Sequence, residues 1–278
     1  MADLNGQVEG YSKSGKRIGM YIYILPNLVT TANLFSGFYS IIYSIKGEFK
    51  IAAIAVVVAA IFDLLDGRLA RLTHATSKFG AEYDSLCDLV SFGLAPSLLM
   101  FQWALNPFGR LGWLACFLFA ACGALRLARF NVQVGVVEKN FFQGLPIPMA
   151  AGIVASAYLA FEDMGWDPLV EWQARGLLFM VMLLGIVMVS NFRYRSFKDL
   201  DLKERLPFKY LIMGVILLFI VAIRPELMLF ILFFSYALLG AIFGILRLGK
   251  KQREIKASVY APNETNETDL QEESEEDT

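Results

Sequence analysis

Residues 51–71 read IAAIAVVVAAIFDLLDGRLAR, in which twelve apolar residues lead into Asp63, Asp66 and Gly67. The stretch is 21 residues long, and a helix needs about 20 apolar residues to cross the hydrocarbon of a bilayer. Because lipid offers no hydrogen-bond partner to the backbone, such a stretch must be helical. These residues therefore predict a transmembrane helix that carries carboxylates near one end.

Similar apolar stretches recur along the whole chain of 278 residues, of which 56% are hydrophobic even without glycine. Soluble domains are only about 45–50% apolar with glycine included. The predicted fold class is therefore an all-α integral membrane protein with about eight transmembrane helices. The predicted spans are about Leu25–Ile45, Ile51–Arg71, Asp84–Trp103, Gly112–Phe130, Leu145–Phe161, Gly176–Phe192, Phe208–Ile223 and Glu226–Leu246.

The distribution of basic residues predicts the orientation of these spans. Eight spans place both termini on one side of the membrane, and 20 of the 25 Lys and Arg residues then fall on that side. Basic loops stay in the cytoplasm, so we expect a multi-pass protein of the inner cell membrane with both termini inside. The net charge of −1 predicts no nucleic-acid partner, and the lipid bilayer is the expected surroundings.

The same pattern divides the chain into five parts. We expect a cytoplasmic N-terminal segment at 1–20, a catalytic six-helix core at 21–192, a basic cytoplasmic loop at 193–207 and two further helices at 208–247. The remaining residues, 248–278, are expected to form a disordered cytoplasmic tail, and its last 18 residues carry eight carboxylates and no base.

Four aspartates stand at helical spacing around the junction of the second and third spans. Asp63 and Asp66 are three residues apart, and Asp84 and Asp88 are four apart, so each pair shares one helix face. Two helices joined by a short loop can turn these faces toward each other near the cytoplasmic surface. Four buried carboxylates would repel one another and be costly in hydrocarbon, which favours a hard divalent cation among them: Mg²⁺, Mn²⁺ or Ca²⁺.

A metal held by carboxylates suits phosphoryl transfer, because the cation neutralises charge on phosphate oxygens. A carboxylate can also accept the proton of an attacking hydroxyl. Gly67, Ala70 and Gly80 leave room for a bulky ligand, and Arg71 can pair with a phosphate. The plainer alternative is ion pairing of these acids with Arg68, Arg71 and Lys78, but the acids would still outnumber the bases.

The run Asp63-x₂-Asp66-Gly67-x₂-Ala70-Arg71-x₈-Gly80-x₃-Asp84-x₃-Asp88 resembles the signature of the CDP-alcohol phosphatidyltransferase family at all eight defined positions. The resemblance implies that an alcohol attacks the β-phosphate of a CDP-linked lipid and releases CMP. It implies that Asp63, Asp66, Asp84 and Asp88 bind the metal, Mg²⁺ or Mn²⁺, with Asp88 also the catalytic base. It further implies that Gly67, Arg71 and Gly80 contact the nucleotide or its diphosphate, in a six-helix core that is often a homodimer.

The acceptor alcohol depends on three other segments. Asn27, Thr31 and Asn33 lie on the first span and can face the nucleotide or hydrogen-bond between helices. Arg126 and Arg129 share a face at the end of the fourth span, where they can bind the carboxylate of serine or serve only lipid phosphates. The third segment, Phe142–Pro148, breaks the start of a helix and is expected to expose backbone groups near the site.

Taken together, these segments resemble the membrane-embedded phosphatidylserine synthases of that family, which implies CDP-diacylglycerol and L-serine as substrates. Glycerol 3-phosphate is the alternative acceptor, because two arginines also suit its phosphate. An ion-coupled transporter is the alternative of a different class, since intramembrane acids also mark ion pathways. Against transport, the acids of this chain cluster at one membrane surface.

Overall fold

The computed structural model describes residues 5–72, 77–133, 141–166, 171–190, 192–195, 212–214 and 223–260. Eight α-helices make up nearly all of the described structure. They are α1 (Asn5–Ile45), α2 (Phe49–Leu72), α3 (Lys78–Asp88), α4 (Ala95–Met100), α5 (Arg110–Gln133), α6 (Ile147–Asp163), α7 (Glu171–Val189) and α8 (Pro225–Tyr260). The prediction of an all-α integral membrane protein is confirmed.

The third predicted span is one long helical rod from Lys78 to Phe108. Two π-helical segments, Leu89–Leu94 and Phe101–Leu105, flank α4 within this rod, and a 3₁₀ turn at Asn106–Phe108 ends it. Each π segment changes the direction in which the following side chains point. The first π segment begins directly after Asp88, so the regular α-helical spacing that relates Asp84 to Asp88 ends at that residue.

Five of the described helices are long and apolar enough to cross a membrane. They correspond to the predicted first, third, fourth, sixth and eighth spans, and their ranges are Leu25–Ile45, Lys78–Phe108, Arg110–Gln133, Glu171–Val189 and Pro225–Ile242. The predicted second and fifth spans match α2, which has 24 residues and carries the aspartates, and α6, which has 17 residues. The predicted seventh span, about Phe208–Ile223, lies almost entirely outside the described residues.

Small residues allow the helices of the core to pack closely. Ala52, Ala53 and Ala59 of α2 are fully buried, and α6 buries a run of alanines around Gly152. Apolar burial gains little when the surrounding solvent is lipid, so membrane helices associate through close packing of this kind. A Cβ added to Gly152 would lie 3.0 Å from the ring of Phe233 on α8, so α8 packs directly against α6.

A short pair of strands was not predicted from the sequence. Phe141–Gln143 (β1) pairs antiparallel with Arg193–Arg195 (β2), three residues each. Gly144 follows β1 with a φ of +77°, and a Cβ there would lie 2.1 Å from the carbonyl oxygen of Met188. The amides of Gly144 and Leu145 donate to the carbonyls of Phe192 and Val187. The prediction that this segment exposes its backbone groups is therefore wrong for these two amides. Their hydrogen bonds hold the start of α6 against the end of α7.

Candidate active site

The second halves of α2 and α3 bring together three of the four predicted acids. One carboxylate oxygen from each of Asp63, Asp66 and Asp84 lies within 4.8 Å of the others. Asp63 and Asp66 come from one face of α2 because they are one helical turn apart. Asp84 comes from α3, which starts at Lys78 with the hydroxyl of Ser77 accepting a hydrogen bond from the amide of Gly80.

Two oxygens of this group lack the partners that buried acceptors usually have. Asp66 is only 5% exposed, and both Asp66 Oδ2 and Asp84 Oδ1 are buried without a hydrogen-bond partner in the described structure. Buried unpaired carboxylate oxygens are costly. Arg68, Arg71 and Lys78, which the ion-pair alternative requires, form no salt bridge with them within the described residues. Three hard oxygen donors with open lone pairs fit a divalent cation, so this group can bind a metal.

Asp88 lies beside the three-carboxylate group and is held from a different helix. It is 7% exposed, and its Oδ1 accepts a hydrogen bond of 3.0 Å from Nδ2 of Asn33 on α1. It lies within electrostatic range of the other three aspartates, although the 4.8 Å group does not include it. The structure thus places Asp88 next to the metal-binding group, and its role as a fourth ligand stays a prediction.

Three of the residues predicted to contact the CDP-lipid follow Asp66 on α2. A Cβ added to Gly67 would meet no atom within 4 Å, so the surface of α2 is open at that position. Arg71 is exposed, and its Nε donates to the carbonyl of Gly67 over 2.7 Å. Ala70 is half-buried on α2, one turn beyond Asp66. The open backbone at Gly67 directly follows Asp66, and the guanidinium of Arg71 contacts it.

Residues of α1 complete this side of the site. Oδ1 of Asn27 lies 3.4 Å from the position that a Cβ on Gly80 would take. The hydroxyl of Thr31 lies 3.0 Å from that of Tyr83 on α3. The structure therefore brings Asn27 and Thr31, predicted on the first span, against the segment that contains Gly80.

The two predicted acceptor-binding arginines differ in their surroundings. Arg126 on α5 is only 9% exposed, and its Nε is buried without a hydrogen-bond partner in the described structure. It lies within electrostatic range of Asp88 and of Tyr236 on α8. Arg129 is half-buried, nearly one turn further along α5. Arg126 is thus the arginine that the structure directs toward the acids.

Two residues near the site make contacts whose partners were not predicted from the sequence. Asn33 stands out in the sequence only as a polar residue on an apolar span, and its contact with Asp88 joins residues 55 positions apart. Tyr236 belongs to the predicted eighth span, which lies outside the predicted catalytic core at 21–192. A polar side chain within an apolar stretch was the signal in both cases.

The helical core with its buried carboxylates agrees with a match to a known family. The model of the CDP-alcohol phosphatidyltransferase family matches residues 23–190, which include α2, the rod from Lys78 to Phe108, and α5 to α7. This chain belongs to that family, and the resemblance of the aspartate signature is confirmed.

Individual relatives show which members of the family this chain is similar to. The chain is 40% identical over 221 residues to the CDP-diacylglycerol–serine O-phosphatidyltransferase of Helicobacter pylori, which covers 80% of this chain and 91% of that protein. It is 38% identical over 181 residues to the archaetidylserine synthase of Methanothermobacter thermautotrophicus, covering 64% of this chain and 72% of that protein. A CDP-diacylglycerol–serine O-phosphatidyltransferase of Mycobacterium tuberculosis is 30% identical over 227 residues, or 79% of this chain and 78% of that protein.

Proposed function

We propose that this chain transfers the phosphatidyl group of CDP-diacylglycerol to L-serine and releases phosphatidylserine and CMP. The observation that carries the proposal is the group formed by the half-buried Asp63 and Asp84 with the buried Asp66, within the region that the family model matches. The acceptor follows from the relatives, since the three described above are named for serine or for a serine-containing lipid product. This agrees with the acceptor predicted from the sequence.

The three-carboxylate group would hold the divalent metal, Mg²⁺ or Mn²⁺. When bound, such an ion neutralises charge on the diphosphate oxygens and stabilises the leaving phosphate. The residues of the chain do the rest. The open face at Gly67 and the guanidinium of Arg71 receive the diphosphate, and Asn27, Thr31 and Gly80 border the nucleotide.

Asp88 is the base of the proposed reaction. The hydroxyl oxygen of serine forms a bond to the β-phosphorus of CDP-diacylglycerol, and the bond from that phosphorus to the bridging oxygen breaks. CMP leaves with the bridging oxygen, while the proton of the hydroxyl passes to the carboxylate of Asp88. Its position beside the three-carboxylate group supports this role.

Arg126 binds the carboxylate of serine in this proposal. Its guanidinium is buried, its Nε lacks a partner in the described structure, and Asp88 lies within electrostatic range. A buried guanidinium with open donors suits a carboxylate, because the pair is charge-assisted and can be bidentate. Arg129 is the second candidate for the same group.

The setting of the enzyme is also proposed. Residues 21–192 form the catalytic unit, placed in the inner membrane with the aspartates and both termini toward the cytoplasm. The excess of basic residues on that side supports this orientation. A homodimer is the assembly that the family resemblance implies, and cross-linking in native membranes tests it.

The test supplies CDP-diacylglycerol and Mn²⁺ to the detergent-purified protein with serine or glycerol 3-phosphate in separate reactions. Released CMP and the lipid product are both measured. We expect phosphatidylserine from serine, and Asp84→Asn is expected to abolish it. The matched control is Asp163→Asn, which removes an acid that pairs with Arg224 at the far end of α6. Product from glycerol 3-phosphate alone would contradict the acceptor, and no CMP release with either would contradict the enzyme class.

A further inference from the structure

The hydrogen bond from Asn33 to Asp88 has a defined direction. Asp88 as a carboxylate can only accept, so the group of Asn33 that faces it over 3.0 Å must be the amide nitrogen. The amide oxygen of Asn33 then points elsewhere, and it is buried without a hydrogen-bond partner in the described structure. The side chain of Asn33 therefore leaves one of its own acceptors unpaired while it donates to the acid.

Burial makes this contact strong and specific. Asn33 is fully buried and Asp88 is 7% exposed, so water does not compete well for either group. Hydrogen bonds to charged groups are stronger than neutral ones, and a low-dielectric interior strengthens them further. Since Asn33 lies on α1 and Asp88 on α3, this bond sets the position of the acid relative to the first helix.

The backbone around Asp88 also explains why the acid needs a support from another helix. Asp88 is the last residue of α3, and the π segment Leu89–Leu94 starts at the next position. Ser91 in this π segment donates to the carbonyl of Asn33 over 3.0 Å. Segments of this kind are frequent at functional sites because they redirect side chains.

We infer that Asn33 is a positioning residue for catalysis: its amide nitrogen holds one oxygen of Asp88 and leaves the other to face the acceptor hydroxyl. The inference rests on the proposed role of Asp88 as base. A base must lie within hydrogen-bond reach of the proton that it accepts, and small displacements of such groups reduce turnover strongly.

Two variants of Asn33 test this inference. Asn33→Leu has a similar size without a donor, and Asn33→Asp keeps the shape but replaces the donating nitrogen with oxygen. We expect kcat to fall by about 10- to 100-fold in both, the loss typical of a hydrogen bond to a charged group. The KM values for serine and CDP-diacylglycerol are expected to change less than about threefold, a split that loss of helix packing alone would not produce.

Ser91→Ala is the matched control. It removes the neighbouring hydrogen bond between α1 and the π segment that follows Asp88, and it leaves the Asn33 amide in place. We expect its kcat to stay close to that of the wild type. Thermal unfolding in detergent identifies any variant that fails to fold. If Asn33→Leu does not fold, the kcat of Asn33→Asp tests the inference. Unchanged kcat in a folded Asn33 variant, or a loss confined to KM, would overturn the inference.

The same experiment separates this inference from the proposed function. CMP release is measured for each variant with the acceptor that the wild-type protein uses. If that acceptor is glycerol 3-phosphate, the serine proposal fails, while the ratio of variant to wild-type kcat still tests Asn33. If the wild-type protein uses serine and the Asn33 variants keep the wild-type kcat, the serine proposal stands and the inference fails.

Discussion

Gly37→Ala is the substitution whose effect the structure defines most directly. A Cβ added to Gly37 on α1 would lie 2.3 Å from the Oγ of Ser91, 2.5 Å from its Cα and 2.7 Å from its Cβ. Carbon atoms pack at about 3.5–4.0 Å, so α1 and the π segment must separate by about 1 Å. The Asn33–Asp88 hydrogen bond, now 3.0 Å, would then pass beyond ordinary hydrogen-bond length.

Two effects of different origin follow from this separation. A misplacement of about 1 Å in a catalytic group can cost on the order of 100-fold in rate, so we expect kcat to fall by about that factor. Overpacking at a tight helix contact costs about 1–3 kcal/mol, so we also expect a lower Tm in detergent. The assay is CMP release at saturating serine and CDP-diacylglycerol, together with thermal unfolding of the same preparation.

Gly176→Ala on α7 is the matched control, since a Cβ there would meet no atom within 4 Å. Its kcat is expected to equal that of the wild type, because alanine favours a helix as well as or better than glycine. Ser91→Gly combined with Gly37→Ala should restore activity only in part, because the Cα of Ser91 remains in the way. A Gly37→Ala protein with wild-type kcat and Tm would refute the close approach of the two segments.

Three other substitutions separate the proposed roles. Asp88→Asn should lower kcat by at least 100-fold, the range that general-base catalysis commonly supplies, with binding of CDP-diacylglycerol retained; near-normal turnover would refute its role as base. Asp66→Asn should raise the half-saturating Mn²⁺ concentration at least tenfold, since loss of even an indirect metal partner does so; an unchanged Mn²⁺ titration would exclude Asp66 as a ligand. Arg126→Ala should raise the KM for serine about tenfold or more; a selective loss of CDP-diacylglycerol binding would instead assign Arg126 to the lipid phosphate.

The three-carboxylate group was predictable because its geometry is mostly local. Asp63 and Asp66 share a helix face through their spacing, and Asp84 follows on the next helix after a short connection. The apolar stretches likewise predicted the described membrane helices to within a few residues at most ends. Local spacing and hydrophobicity therefore sufficed for the helices and for three of the four acids.

What the sequence left open depends on contacts between distant segments. Asn33 and Asp88 are 55 residues apart, and no pattern in either segment indicates that the two residues are in contact. The π segments at Leu89–Leu94 and Phe101–Leu105 leave no periodic signal in the sequence. The pairing of β1 with β2 joins residues about 50 positions apart. The contact between the start of α6 and the end of α7 could therefore not be predicted from the sequence either.

The two sides of the site also differ in their origin along the chain. The acids and the open face at Gly67 lie within residues 23–190, the region matched by the family model. Tyr236, which lies within electrostatic range of Arg126, comes from α8 outside that region, and Phe233 packs α8 onto Gly152. The family signature defines the chemistry of the CDP-linked donor and leaves the acceptor open. Under the proposed role of Arg126, the acceptor side of the site is built partly from a helix that the common region does not contain, which gives α8 a physical means of influencing which alcohol is accepted.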